Sequence, residues 1–183
     1  ELGLAERTLV FFFSDNGATP RGSNKPLRGH KGTLWEGGHR VPAIAWWPGK
    51  IAPGRTTNEL AAGFDLMPTM LELAGASVPE GHELDGVSLA PVLLRGEQLA
   101  PRKLFWGFQN RVAMRDGQWK YIRGEKELGG KPGLFRLDRD LSEQENLAGR
   151  YPEKVREMEA ATAAWLEEMK RTATPQPSMQ AKQ

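Results

Sequence analysis

An acid, an amide and a glycine follow directly on a run of phenylalanines in FFFSDNG, residues 11–17. Asp15 and Asn16 offer a carboxylate and an amide oxygen, hard ligands suited to Ca²⁺ or Mg²⁺, and Gly17 lets backbone approach closely. The same tripeptide also forms an Asx turn that closes a strand, and spacing alone leaves both readings open. A second polar group stands in RGHKGTLWEGGHRVP, residues 28–42, where Lys31 lies in glycine-rich chain with Trp35 and Glu36 close by. Compact backbone there leaves the ammonium reachable by a bound anion; the alternative is an ordinary surface lysine. The histidines His30, His39 and His82 show no metal-ligand spacing, since His30 and His39 are nine residues apart without a matching partner. They read as polar loop residues.

These side chains need elements to hold them. TLVFFF, residues 8–13, is apolar without alternation, the pattern of a strand covered on both faces inside a parallel sheet. In open α/β sheets ligands bind beyond the carboxyl ends of strands, where Asp15 and Asn16 stand. Residues 17–53 read as a long structured loop, of the kind that is usually functional, and contain a second buried strand, VPAIAWWPG at 41–49. Asp65 can cap a helix running to Ala74, with Pro68 in its first turn and Gly75 as terminator. Met67, Met70, Leu71 and Leu73 on that helix, and the Trp46–Trp47 pair, read as core.

Beyond residue 102 the texture changes. LFWGF (104–108) and RVAMRDGQWKYIRG (111–124) read as strands, with Asp116-Gly117 turning a hairpin, and LFRL (134–137) as one more. Pro152 opens a helix whose Val155, Met158, Thr162, Trp165 and Met169 recur at three- and four-residue spacing. The tail from residue 172 is polar, proline-containing and unpatterned, and is expected to be disordered.

Composition excludes more than it names. The chain of 183 residues has a net charge of +2 with no run of five or more like charges, so nothing in it resembles a nucleic-acid tract. The absence of cysteine removes disulfides, thiolate metal sites and a cysteine nucleophile. No apolar stretch reaches the roughly 20 residues of a membrane helix, and the first ten residues lack a signal-peptide pattern, so a soluble segment without an address is expected.

Taken in order and spacing, FFFSDNG, PLRGHKGTLWEGGHRVPAIAWWPG, FDLMPTMLELAG and VAMRDGQWKYI resemble the C-terminal part of type I sulfatases, the arylsulfatase-like branch of the alkaline-phosphatase superfamily. The likeness extends from residue 8 to about 170. It implies an α/β fold: residues 1–102 as the end of the large catalytic domain, 103–171 as a small antiparallel sheet with a packed C-terminal helix, and 172–183 as a tail. It also implies that Asp15 and Asn16 are ligands of the active-site divalent ion, usually calcium in this family with Mg²⁺ as the alternative. Lys31 then contacts a sulfate oxygen as both a substrate-binding and a catalytic group. No role is carried over to His30, His39 or Glu36.

Family enzymes use a formylglycine made from Cys or Ser in C/S-x-P-x-R, and this sequence has no such motif. Its one Ser-x-Pro, at Ser77, continues with Glu80 and Gly81 where arginine is required. The remaining acidic ligands of the family are also missing, so the chain reads as a fragment whose partner is the upstream part of the same protein, and alone it is expected to hydrolyse no sulfate ester. Two alternatives stay open: a phosphoester or phosphonate hydrolase of the same superfamily, and a non-catalytic remnant or binding module with a weak Ca²⁺ site. The family points to a periplasmic or extracellular setting.

Overall fold

A computed structural model describes residues 2–173, and the expected tail lies outside them from residue 174 onward. By its internal contacts the chain divides into two units, one ending at Arg102 and one beginning at Lys103.

In the first unit, β1 (Val10–Phe13) pairs with β2 (Ala43–Trp46). The pairing is antiparallel, Val10 opposite Trp46 and Phe13 opposite Ala43. Among the described residues its neighbour is thus antiparallel, where the sequence pattern suggested parallel ones. An apolar run reports that a strand suits burial, not which segments cover it. Among the described residues β2 alone lies beside β1, so Phe12 (68% exposed), Ile44 (62%) and Trp46 face outward. The Trp46 side chain is thus not core, and the Trp47 indole Nε1 donates to the Glu6 carbonyl at 2.8 Å.

Between the strands, the glycine-rich stretch is not all loop. Glu36–His39 forms one short helical turn, α1, although two glycines are poor helix formers. Space explains them. A Cβ on Gly38 would lie 2.0 Å from the Thr33 carbonyl oxygen, and one on Gly37 would lie 2.6 Å from that of Arg28. Only hydrogen at these Cα atoms lets α1 sit against the preceding loop.

Helix α2 (Leu66–Ala74) ends as its sequence predicts, with Gly75 left-handed at φ +67° and its N–H on the Leu71 and Glu72 carbonyls. Its start differs. The Asp65 carboxylate turns away from the helix and accepts the N–H groups of Ala62 (2.7 Å) and Val87 (3.0 Å). It also pairs with the Arg102 guanidinium through two hydrogen bonds. The buried face is polar at its centre: Thr69 donates to the Asp65 carbonyl (2.6 Å) and accepts the Leu89 N–H (2.8 Å). Met67 and Met70, expected in the core, are half exposed instead. One turn of π-helix, Pro91–Arg95, follows before the unit ends.

The second unit is a four-stranded antiparallel meander, β3 (Lys103–Phe108), β4 (Arg111–Asp116), β5 (Trp119–Arg123) and β6 (Gly133–Arg136), in that order. The register sets Asp116 opposite Trp119, so the tight turn is Gly117-Gln118, one residue later than Asp116-Gly117. Positive φ at Gly117 (+54°) and not at Gln118 is the type II′ pattern. Helix α3 (Pro152–Thr172) packs on β4 and β5, and runs one residue into the segment expected as tail. Val155 and Met158 from the helix meet Met114, Tyr121 and Leu134 from the sheet. Phe105 stacks on Trp165 with ring centroids 5.2 Å apart. The apolar stripe fades towards the helix end, where Met169 remains exposed. A fully buried ion pair, Lys120 to Glu143 at 2.9 Å, lies in the same unit.

Candidate active site

β1 ends at Phe13, and Ser14 turns the chain by donating its hydroxyl to the Asn16 carbonyl at 2.8 Å. An Asx turn requires a backbone N–H two residues beyond the acid or amide. The Gly17 N–H is bonded to the Gly38 carbonyl (3.0 Å), and the Ala18 N–H to the Asn24 side chain (2.7 Å). Both donors are used by distant segments, so neither the Asp15 nor the Asn16 side chain closes a local turn. Asp15 is exposed and Asn16 half-buried.

Gly17 is needed where it stands, because a Cβ there would lie 1.8 Å from the Gly37 carbonyl oxygen. The strand tip therefore presses directly on α1. Lys31 arrives beside it through a backbone bond from its own N–H to the Ala18 carbonyl, 2.9 Å. Asp15, Asn16, Lys31, Asn24 and Arg40 all line one open cleft of about 360 Å³. Two segments that the sequence leaves unconnected thus contribute to one concavity.

The neighbouring polar residues brace the loop. Glu36 is buried and binds Arg40 at 3.3 Å. His30 Nδ1 contacts the Lys31 carbonyl at 2.9 Å, and His39 Nε2 the Leu34 carbonyl at 3.2 Å. The Arg28 guanidinium lies over the Trp35 ring, 3.7 Å from its centroid. His82 lies in an exposed turn. Sequence reasoning missed Arg40 and Asn24. The Glu36–Arg40 spacing of four residues is a helical ion-pair signal, hidden because Gly37-Gly38 argues against a helix.

As a cation site, the cleft supplies one carboxylate and one amide oxygen, the right donor type for Ca²⁺ or Mg²⁺. Ca²⁺ takes about six to eight oxygens, and no cluster of three or more His, Cys, Asp or Glu suited to a metal occurs among the described residues. The two donors are a partial set.

The sulfatase family model matches residues 1–76, the stretch that contains the whole cleft. Human arylsulfatase A is 48% identical over 132 residues, covering 66% of this chain and 25% of that protein. The chain is similar to sulfatases in both sequence and fold. Mouse N-acetylgalactosamine-6-sulfatase is 41% identical over 125 residues, covering 65% of this chain and 24% of that protein. In structure, the PsFucS1 sulfatase from Pseudoalteromonas sp. superposes with a TM-score of 0.78 at 27% identity, over 95% of this chain and 40% of that one. The chain spans about a quarter of the length of the curated relatives it matches. The likeness in structure takes in both the cleft and the antiparallel sheet with its C-terminal helix.

Proposed function

We propose that the intact protein hydrolyses an organic sulfate ester, and that this chain contributes part of the site that binds it. The observation that carries the reading is the convergence of Asp15, Asn16 and Lys31 on one cleft. In this reading Asp15 and Asn16 hold a divalent cation, Ca²⁺ or Mg²⁺, with its other ligands coming from outside the described residues. Lys31 directs its ammonium at a sulfate oxygen. A sulfate ester is anionic, and its cleavage shifts charge among the sulfuryl and leaving-group oxygens, so positive groups fixed beforehand stabilise the transition state. The nucleophile implied by the family is a formylglycine encoded outside this chain, where it would supply the oxygen that attacks sulfur. The 183 residues alone should therefore give no turnover of an aryl sulfate; measurable hydrolysis by the purified chain would refute this.

The metal assignment has a test that needs no turnover. Calorimetric titration of the intact, chelator-stripped protein with Ca²⁺ should show one site, and Asp15→Ala should weaken it by at least about tenfold, since loss of one carboxylate removes a charged ligand from the shell. Equal affinity in both proteins would take Asp15 out of the site. Rates on matched sulfate and phosphate esters then decide between the sulfatase reading and its phosphohydrolase alternative, with the sulfate expected to be faster.

A further inference from the structure

We propose that Asn24 is the positioning residue that fixes Lys31 relative to Asp15 and Asn16; this rests on the functional reading just given. The direct backbone ties between the two segments are the bonds from the Lys31 N–H to the Ala18 carbonyl and from the Gly17 N–H to the Gly38 carbonyl, and only the first acts at Lys31 itself. Asn24 adds three more. Its Oδ1 accepts the Ala18 N–H at 2.7 Å, while its Nδ2 donates to the Ala18 carbonyl at 3.2 Å and to the Gly29 carbonyl at 3.1 Å. The amide orientation follows from these neighbours, one N–H donor on one side and two carbonyls on the other.

This arrangement suits asparagine among the common side chains. An aspartate of the same shape keeps the acceptor for Ala18 but loses both donors and turns its charge on two carbonyl oxygens. Serine and alanine are too short to reach both segments. The side chain is held in turn by its own backbone, whose carbonyl accepts the Leu27 N–H at 2.8 Å. Asn24 is half-buried and borders both the cleft of Asp15 and Lys31 and a smaller one lined by Thr19, Lys25 and His30. It acts on the backbone flanking the proposed ligands, Ala18 on one side and Gly29 on the other. A displacement of about 1 Å in such a site can cost about a hundredfold in rate.

The consequence is coupling between Asn24 and Lys31. In the full-length enzyme Asn24→Asp should lower kcat/KM by about ten- to a hundredfold. In a Lys31→Ala background the same change should lower it less than about threefold, because the group whose place it sets is already gone. Asn24→Ala, which removes the contacts without adding charge, should behave alike and serves if the aspartate variant does not fold. The constant for inhibition by inorganic sulfate should rise on Asn24→Ala, and Lys31→Ala should abolish that sensitivity. Equal losses in both backgrounds would make Asn24 a loop stabiliser and overturn the proposal, as would a loss under threefold in the wild-type background. A silent Lys31→Ala would overturn the proposal together with the reading beneath it, whereas a costly Lys31→Ala beside a silent Asn24→Asp would overturn the proposal alone.

Discussion

Replacing Lys31 by alanine in the intact enzyme is expected to lower kcat/KM by about 10²-fold or more, the scale seen when one preorganised donor to a developing negative oxygen is lost. The backbone of Lys31 is fixed by the Ala18 carbonyl and its side chain opens on the same cleft as Asp15. The fold thus fixes the backbone from which the ammonium reaches into the cleft. Because a sulfate ester is already anionic before it reacts, part of the loss should appear in KM and the rest in kcat. Lys31→Arg should recover only part of the activity, since a planar guanidinium does not replace a compact ammonium. Steady-state kinetics on an aryl sulfate would check this, and a change below threefold for Lys31→Ala would remove the residue from the site.

Arg102→Ala should produce the largest loss of stability, about 3–5 kcal/mol, the range for removing one partner of a buried charge pair. Asp65 has no solvent exposure, and the segments on either side of it are held through its carboxylate. Burial by itself pushes the Asp65 carboxyl up, but the Arg102 hydrogen bonds and the N–H groups of Val87 and Ala62 outweigh it and hold the carboxyl below its ordinary value of 3.8. A carboxyl depressed in the folded state stabilises above its unfolded pKa, and that contribution is lost as pH falls through the folded value. Without Arg102 only the two N–H groups oppose burial, so the carboxyl moves upward and its contribution to stability shrinks. The stability gap between wild type and variant should accordingly be widest near pH 7 and narrow as pH falls through the ordinary carboxylate value of 3.8 and below it. Urea unfolding of the intact protein at several pH values measures this; a gap independent of pH would show that Asp65 is not the group responsible.

Several elements were legible before any coordinates. The ends of α2 and α3 follow from Gly75 and Pro152, and the second hairpin from a glycine between two apolar runs, because these signals act over a few residues of backbone. The cover of β1 was not legible. Its four apolar residues specify that something should pack there, while the pairing with β2 depends on a segment some thirty positions later. Asp65 illustrates the same division: its position at the start of a helix is local, yet the direction of its carboxylate was decided by Arg102 and Val87.

By itself the sequence determined the family resemblance, the two groups of candidate residues, and the chemistry of a carboxylate, an amide and an ammonium. Only the tertiary structure decided that these groups share a cleft, that Gly17 presses on α1 at a distance no Cβ permits, and that Asn24 bridges the two segments. The physical reason is that residue type and short-range spacing carry chemistry and local conformation, whereas hydrogen bonds and close contacts between distant segments exist only after the chain has folded.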